Sequence, residues 1–203
     1  TACRILVPDY SEVYPVEDLI WDNTNKALNF REDILNLHRL SEDQLADLVE
    51  RLEQSELDNY IDIITLIGIE FDENTVWGQL TILELKLLIY LALGDLEAAM
   101  ELVEAFLQYN DNTIVERGLF YQAMHATLEV ALSDDLEIED YIHSFTRMFG
   151  QETMDAVVGS INGDVMFYGL TETSMKLEGL DRHLRLIESY KKLHTARAKK
   201  AGL

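Results

Sequence analysis

The run LTILELKLLIYLALG, residues 80–94, followed by DLEAAMELVEAFLQY, residues 95–109, decides the fold. The first half is apolar almost all round, broken only by Thr81, Glu84, Lys86 and Tyr90, so it predicts a helix covered on most sides. Gly94 suits a left-handed helix stop, and Asp95 suits the cap of a second helix. In the second half Glu97, Glu101, Glu104 and Gln108 recur at steps of four, three and four. That spacing gathers them in one stripe, with Leu96, Met100, Val103, Phe106 and Leu107 opposite. Two helices joined by so short a turn pack antiparallel.

Working outward, 203 residues at 48% hydrophobic and 27% charged can bury one sizeable core. No apolar run reaches the length a bilayer demands. Thirty-eight acidic residues against 16 basic ones give −22, which argues against a nucleic-acid backbone as partner and suits a basic protein. Cys3 stands alone, so no internal disulfide can form. With no basic, apolar leader after Thr1, the sequence predicts a cytoplasmic protein.

Upstream of the hairpin, Ala2 to Val7 reads as a short strand closed by Pro8. A strand with no partner nearby is unstable alone, so this one is expected to join a sheet built by residues outside the sequence. Ser41 with Gln44 makes a capping box ahead of Leu45, Leu48, Val49 and Leu52. Ser55 with Asp58 predicts a second helix burying Leu57, Ile61 and Ile64 and ending at Gly68. Phe71 and Trp77 are expected to seal one end of the stack. Downstream, helices are predicted from Thr113 to about Leu132, from Leu136 to Phe149, and briefly through Val157. Asp164 to Gly169 reads as a second strand, and a last helix from about Ser174 turns Leu177, Leu180, Leu184, Ile187 and Tyr190 inward. Residues 176–203 hold eight basic and three acidic side chains, +5, which leaves −27 on the rest. The class is therefore mainly α: antiparallel helical hairpins with short strands at the N-terminus and near 164–169.

The turn Gly94-Asp95-Leu96-Glu97-Ala98-Ala99 is similar to the one inside a tetratricopeptide repeat, with Ser133-Asp134-Asp135-Leu136-Glu137 a weaker echo. Stacked pairs of this kind offer concave surfaces for peptides or a neighbouring domain. Candidate chemistry is thin. His38, His125, His143, His183 and His194 show no metal-ligand spacing. The row Glu97, Glu101, Glu104 reads as solvated surface, and Ser160 and Ser174 lack a local base. There is no glycine-rich phosphate loop, and Asp72-Glu73-Asn74 lacks the central glycine of a calcium loop. No catalytic or metal-binding residue is nominated, and cofactor-binding residues are unknown.

The segment Cys3-Arg4-Ile5-Leu6-Val7-Pro8-Asp9-Tyr10-Ser11-Glu12-Val13-Tyr14-Pro15 resembles the closing strand and exit of a YcaO domain. Glu17 to Thr24, Phe30 to Leu37 and the repeat region continue the likeness over essentially the whole chain. The resemblance implies three parts: residues 1–15 ending an upstream catalytic domain, a helical tetratricopeptide-like region over 16–150, and a tail of strand and helix over 151–203. It also implies a parent protein that uses ATP and Mg2+, whose nucleotide- and metal-binding carboxylates lie outside this sequence. For enterobacterial members it implies an accessory role in β-methylthiolation of an aspartate in a small-subunit ribosomal protein. The implied partners are the upstream domain, the radical methylthiotransferase or its ribosomal substrate, and a second copy. Pro8 and Pro15 are the only prolines, so the proline-rich C-terminus of azoline-forming members is missing and azoline formation is not expected. The alternative is a free-standing acidic helical-repeat adaptor or chaperone with a groove for a peptide.

Overall fold

The computed structural model describes residues 30–69, 71, 75–109 and 115–201. Nine α-helices lie among these residues: α1 (Arg31–Leu35), α2 (Glu42–Gln54), α3 (Ile63–Ile67), α4 (Ile82–Leu93), α5 (Leu96–Tyr109), α6 (Val115–Ala131), α7 (Ile138–Phe149), α8 (Gln151–Ile161) and α9 (Asp181–Ala201). Short 3-10 turns cover Leu37–Arg39 and Val76–Gln79.

The α4–α5 hairpin forms as its sequence dictates. The Thr81 hydroxyl accepts the Glu84 amide at 3.3 Å and opens α4. Gly94 takes a left-handed φ of 71°, and the Asp95 amide reaches back to the Tyr90 carbonyl at 3.0 Å, closing the helix in a Schellman turn. The Asp95 carboxylate then accepts the Ala98 amide at 3.1 Å and starts α5. α4 is apolar all round because it is the wall between two cores. Ile82, Leu85, Leu88 and Ile89 face the first core, with residues of α1, α2 and α3. Leu83, Leu87 and Leu91, four apart, face the second with Val103 and Phe106 of α5, Phe120 and Met124 of α6, and Met154 and Val157 of α8.

The predicted strand over 164–169 does not exist. No β-strand occurs among the described residues, only an isolated antiparallel bridge between Asp62 and Thr81. Residues 162–170 are turns, because Gly163, Phe167 and Gly169 all take positive φ, which a strand cannot accommodate. Phe167 then drops into the first core, with Leu170 and Leu180 behind it. The strand expected over 2–7 lies outside the described residues.

Two helix starts also move. Ser55 ends α2 rather than opening a helix, and Asp58 accepts the Tyr60 amide in a turn. The last helix begins at Asp181, since Leu177 and Gly179 are left-handed and hold the chain in turns before it.

The segment 167–180 crosses back to bind the first layer. The Trp77 indole N–H donates to the Thr171 carbonyl at 2.9 Å, and Trp77 stacks on Phe71 at 5.2 Å. Arg39 pairs with Glu172 at 2.9 Å and Glu178 at 3.5 Å. His38 meets the Phe167 ring edge-on at 5.2 Å. Burial pushes the His38 imidazole below its ordinary value of 6.5, against the upward pull of a Leu170 backbone hydrogen bond and Glu172, while Arg39 adds to the depression. A histidine held neutral in the fold favours the unfolded chain once protons are available. Stability should therefore decline as pH drops below about 6.5 and level off beneath the folded pKa. His38→Gln should flatten that part of the profile; parallel urea titrations of the two proteins would test it, and identical profiles would refute it.

Candidate interaction surface

Polar groups inside α4 and α6 form the most enclosed chemistry among the described residues. Glu84, Arg117 and Tyr121 are 1%, 5% and 1% exposed. The Tyr121 hydroxyl donates to one Glu84 oxygen at 2.7 Å, and Arg117 closes on the other as an ion pair. Burial pushes the Tyr121 phenol up and draws the Arg117 guanidinium down. Phe120 and Tyr168 stack beside them at 3.9 Å. Each charge in this knot faces an opposite or hydrogen-bonding partner from within the fold, so it locks α4 to α6.

The histidines, acids and serines with possible chemistry are scattered. His125 lies between the Glu104 and Glu129 carboxylates, 3.8 Å from each, on the outer face of α5 and α6. His38 belongs to the seam above, His143 is exposed on α7, and His183 is partly buried at the start of α9. The side chain of His194 is outside the described set. Glu97, Glu101 and Glu104 are exposed along α5. The Ser160 hydroxyl donates to the Ala156 carbonyl, and that of Ser174 to Glu178. Among the described residues no cluster of three His, Cys, Asp or Glu side chains could hold a metal, and no helix is long and apolar enough to cross a membrane.

Two surface features stand out instead. A cleft of about 370 Å³ opens between α7, α8 and the turn after α8. Its floor is Ile142, Met154, Val158 and Val165, and Asp155 and Asp164 stand on its rim. The turn folds onto α8 at Gly159, whose carbonyl accepts the Asp164 and Val165 amides at 2.8 and 2.9 Å. A Cβ at Gly159 would sit 2.7 Å from Val165 Cγ2. Gly159→Ala should cost stability, because overpacking of about 1–3 kcal/mol exceeds a helix-propensity gain of about 1 kcal/mol. In a Val165→Ala background the same change should stabilise, and a thermal-melt double-mutant cycle without that reversal would disprove the close packing.

The second feature is α9. Leu180, just before it, is buried in the first core, but Leu186, Tyr190 and Leu193 are 57%, 68% and 52% exposed. They fall at steps of four and three, one continuous apolar stripe. Arg185, Lys192 and Lys199 recur every seven residues on another side. No other described helix packs along α9. The inner face expected from Leu177, Leu180, Leu184, Ile187 and Tyr190 holds only in part: Leu180 is buried, but Leu184 and Tyr190 are exposed, and Leu186 and Leu193 of the exposed stripe lie outside that face.

A helical chain of this kind matches known sequences over nearly its full length. The family model described as the YcaO cyclodehydratase C-terminal domain matches residues 27–199. The chain is 32% identical over 200 residues to the ribosomal protein S12 methylthiotransferase accessory factor YcaO of Escherichia coli, covering 97% of this chain and 34% of that protein. It is 30% identical over 200 residues to an uncharacterized protein of Haemophilus influenzae, again 97% of this chain and 34% of the relative. The chain thus spans about a third of the length of the curated relatives it matches. With the family model covering both cores and most of α9, this chain belongs to the YcaO cyclodehydratase C-terminal domain family.

Proposed function

We propose that this chain is a helical, non-catalytic region of an ATP-utilising YcaO protein that serves as accessory factor in β-methylthiolation of an aspartate in a small-subunit ribosomal protein. Its own task is to brace the catalytic domain and to dock a protein partner, either the methylthiotransferase or its ribosomal substrate. The observation that carries this reading is the match to the E. coli accessory factor across 97% of the chain. The physical character of the chain agrees with it. The enclosed charges at Glu84 and Arg117 face each other, whereas the acid-rimmed cleft and the uncovered α9 face outward. ATP and Mg2+ are assigned to the upstream domain, and the site of action is the cytoplasm, where ribosomal proteins are modified.

A cell lacking its own accessory factor gives the test. The parent protein, intact or with residues 30–201 deleted, is expressed there, and modification of the target aspartate is read by mass spectrometry of the ribosomal protein. The intact protein should restore the methylthio group, and the deletion should lose most of it. Full modification by the deletion variant would overturn the accessory role of this region.

A further inference from the structure

We propose that residues 162–180 form a strap that opens as one unit when His38 takes up a proton, freeing the root of α9 while both cores stay folded. The strap joins α8 to α9 through turns alone. Its Phe167 enters the first core, whereas the next residue, Tyr168, stacks on Phe120 of the second at 3.9 Å. The closed strap therefore fastens the two cores to each other and sets the direction in which α9 leaves. Its backbone is strained. Phe167 and Leu177 sit at φ of 54° and 62°, a left-handed region that residues with a Cβ disfavour. Such a backbone persists only where surrounding contacts hold it, so the strap is poised to let go once a contact is withdrawn.

The polar contacts that hold the strap come from the first layer. Trp77 donates to the Thr171 carbonyl, Arg39 pairs with Glu172, and His38 bonds to the Leu170 backbone with its ring against the Phe167 edge. Of these three side chains only the histidine changes charge near neutral pH. Its Nδ1 is buried and has no hydrogen-bond partner among the described residues, so an imidazolium there would enclose an unanswered N–H. The charged groups facing the ring are Glu172 of the strap, which favours the cation, and Arg39 of its own turn, which opposes it. Glu178 pairs with Arg39 at 3.5 Å, and Glu172 is itself shared with Arg39 at 2.9 Å, which divides its pull on His38. Burial outweighs what remains of that pull, so the closed strap prefers the neutral ring and opening lets it charge. Opening would turn α9, with its uncovered Leu186, Tyr190 and Leu193, from a fixed projection into a hinged one. This inference concerns the conformation of the chain and stands apart from the accessory role.

The test is amide hydrogen exchange of the intact protein across this pH range, with each rate corrected for the intrinsic pH dependence of its amide. Opening takes up one proton. The opening constant of the strap should therefore climb as pH falls through 6.5, by at most about tenfold per pH unit, and level off beneath the pKa of the closed state. The amides of Leu170, Leu177 and Leu180 should report the same constant, while those inside α4 and α6 keep their protection. His38→Gln should make strap opening independent of pH. A strap that loses protection only in step with α4 and α6 would be global unfolding, and would overturn the proposal. So would a native strap whose protection is flat with pH, or a slope that survives His38→Gln. An NMR titration of the His38 ring in the native protein needs no variant and should give a value below 6.5. A value at or above 6.5 would mean that the closed strap does not resist the proton, and the catch would be lost.

Discussion

Glu84→Gln should destabilise the chain by about 3–5 kcal/mol, the cost of leaving a buried guanidinium without its counter-charge. Glutamine keeps the size of the side chain and can still accept the Tyr121 hydroxyl, so the loss falls on Arg117, which is 5% exposed. A replacement of the whole knot should behave differently. Glu84→Leu with Arg117→Met and Tyr121→Phe removes both charges and the hydroxyl together, so no polar group is left orphaned. Apolar replacement of a complete buried ion pair is often neutral or stabilising by about 1–4 kcal/mol. The triple variant should therefore be far more stable than the single one, although it differs more from the native sequence. Urea denaturation of the three proteins gives the comparison. A single variant within about 1 kcal/mol of native would mean that water reaches Arg117, since exposed pairs contribute no more than that.

The knot also marks the limit of what sequence periodicity can reveal. Glu84 and Lys86 read only as interruptions of an apolar run, and Arg117 is 33 residues away on a helix with no motif around it. The Glu84–Arg117 pairing depends on how α4 meets α6, which no local pattern encodes. By contrast the hairpin was legible, because Gly94 and Asp95 carry their conformations in their own chemistry. The Ser41–Gln44 box was legible for the same reason, and both of its hydrogen bonds are present. A similar signal failed at Ser55, whose hydroxyl donates to the Leu52 carbonyl at the end of α2 instead of opening a new helix. The supposed strand at 164–169 failed because Val165, Met166, Phe167 and Tyr168 favour extended backbone only when a partner strand exists. Here no partner is present among the described residues, and burial of Phe167 in the first core wins over its β preference. Around α9 the periodicity placed Leu180 correctly, but Leu184 and Tyr190, set on the same inner face, are exposed. A stripe states that a helix has a side to hide and is silent on what hides it.

Trp77→Ala should cost about 3–5 kcal/mol and should loosen a segment almost a hundred residues away. The side chain is 1% exposed, stacks on Phe71 at 5.2 Å with the rings 7° from parallel, and donates its indole N–H to Thr171. Truncation opens a cavity in the first core and leaves the Thr171 carbonyl without its donor. Trp77→Phe separates the two effects. It retains an aromatic face for Phe71 but cannot donate, so it should cost about 1–3 kcal/mol, the range for a buried group left unsatisfied. Both variants should speed amide hydrogen exchange at Leu170, Leu177 and Leu180, whose turn hydrogen bonds lie in the segment that Trp77 pins. Exchange in α5 and α6, which belong to the second core, should change only as far as global stability does. If Trp77→Phe leaves exchange across 167–180 as slow as in the native chain, the indole bond is not what holds the segment. The seam would then rest on Phe167, Leu170 and Leu180 in the first core, and on the Arg39 pairs with Glu172 and Glu178. Arg39 and both glutamates are about half exposed, so those pairs are too weak to replace a buried tryptophan. That imbalance is why Trp77, rather than the ion pairs, is expected to set how firmly the root of α9 is held.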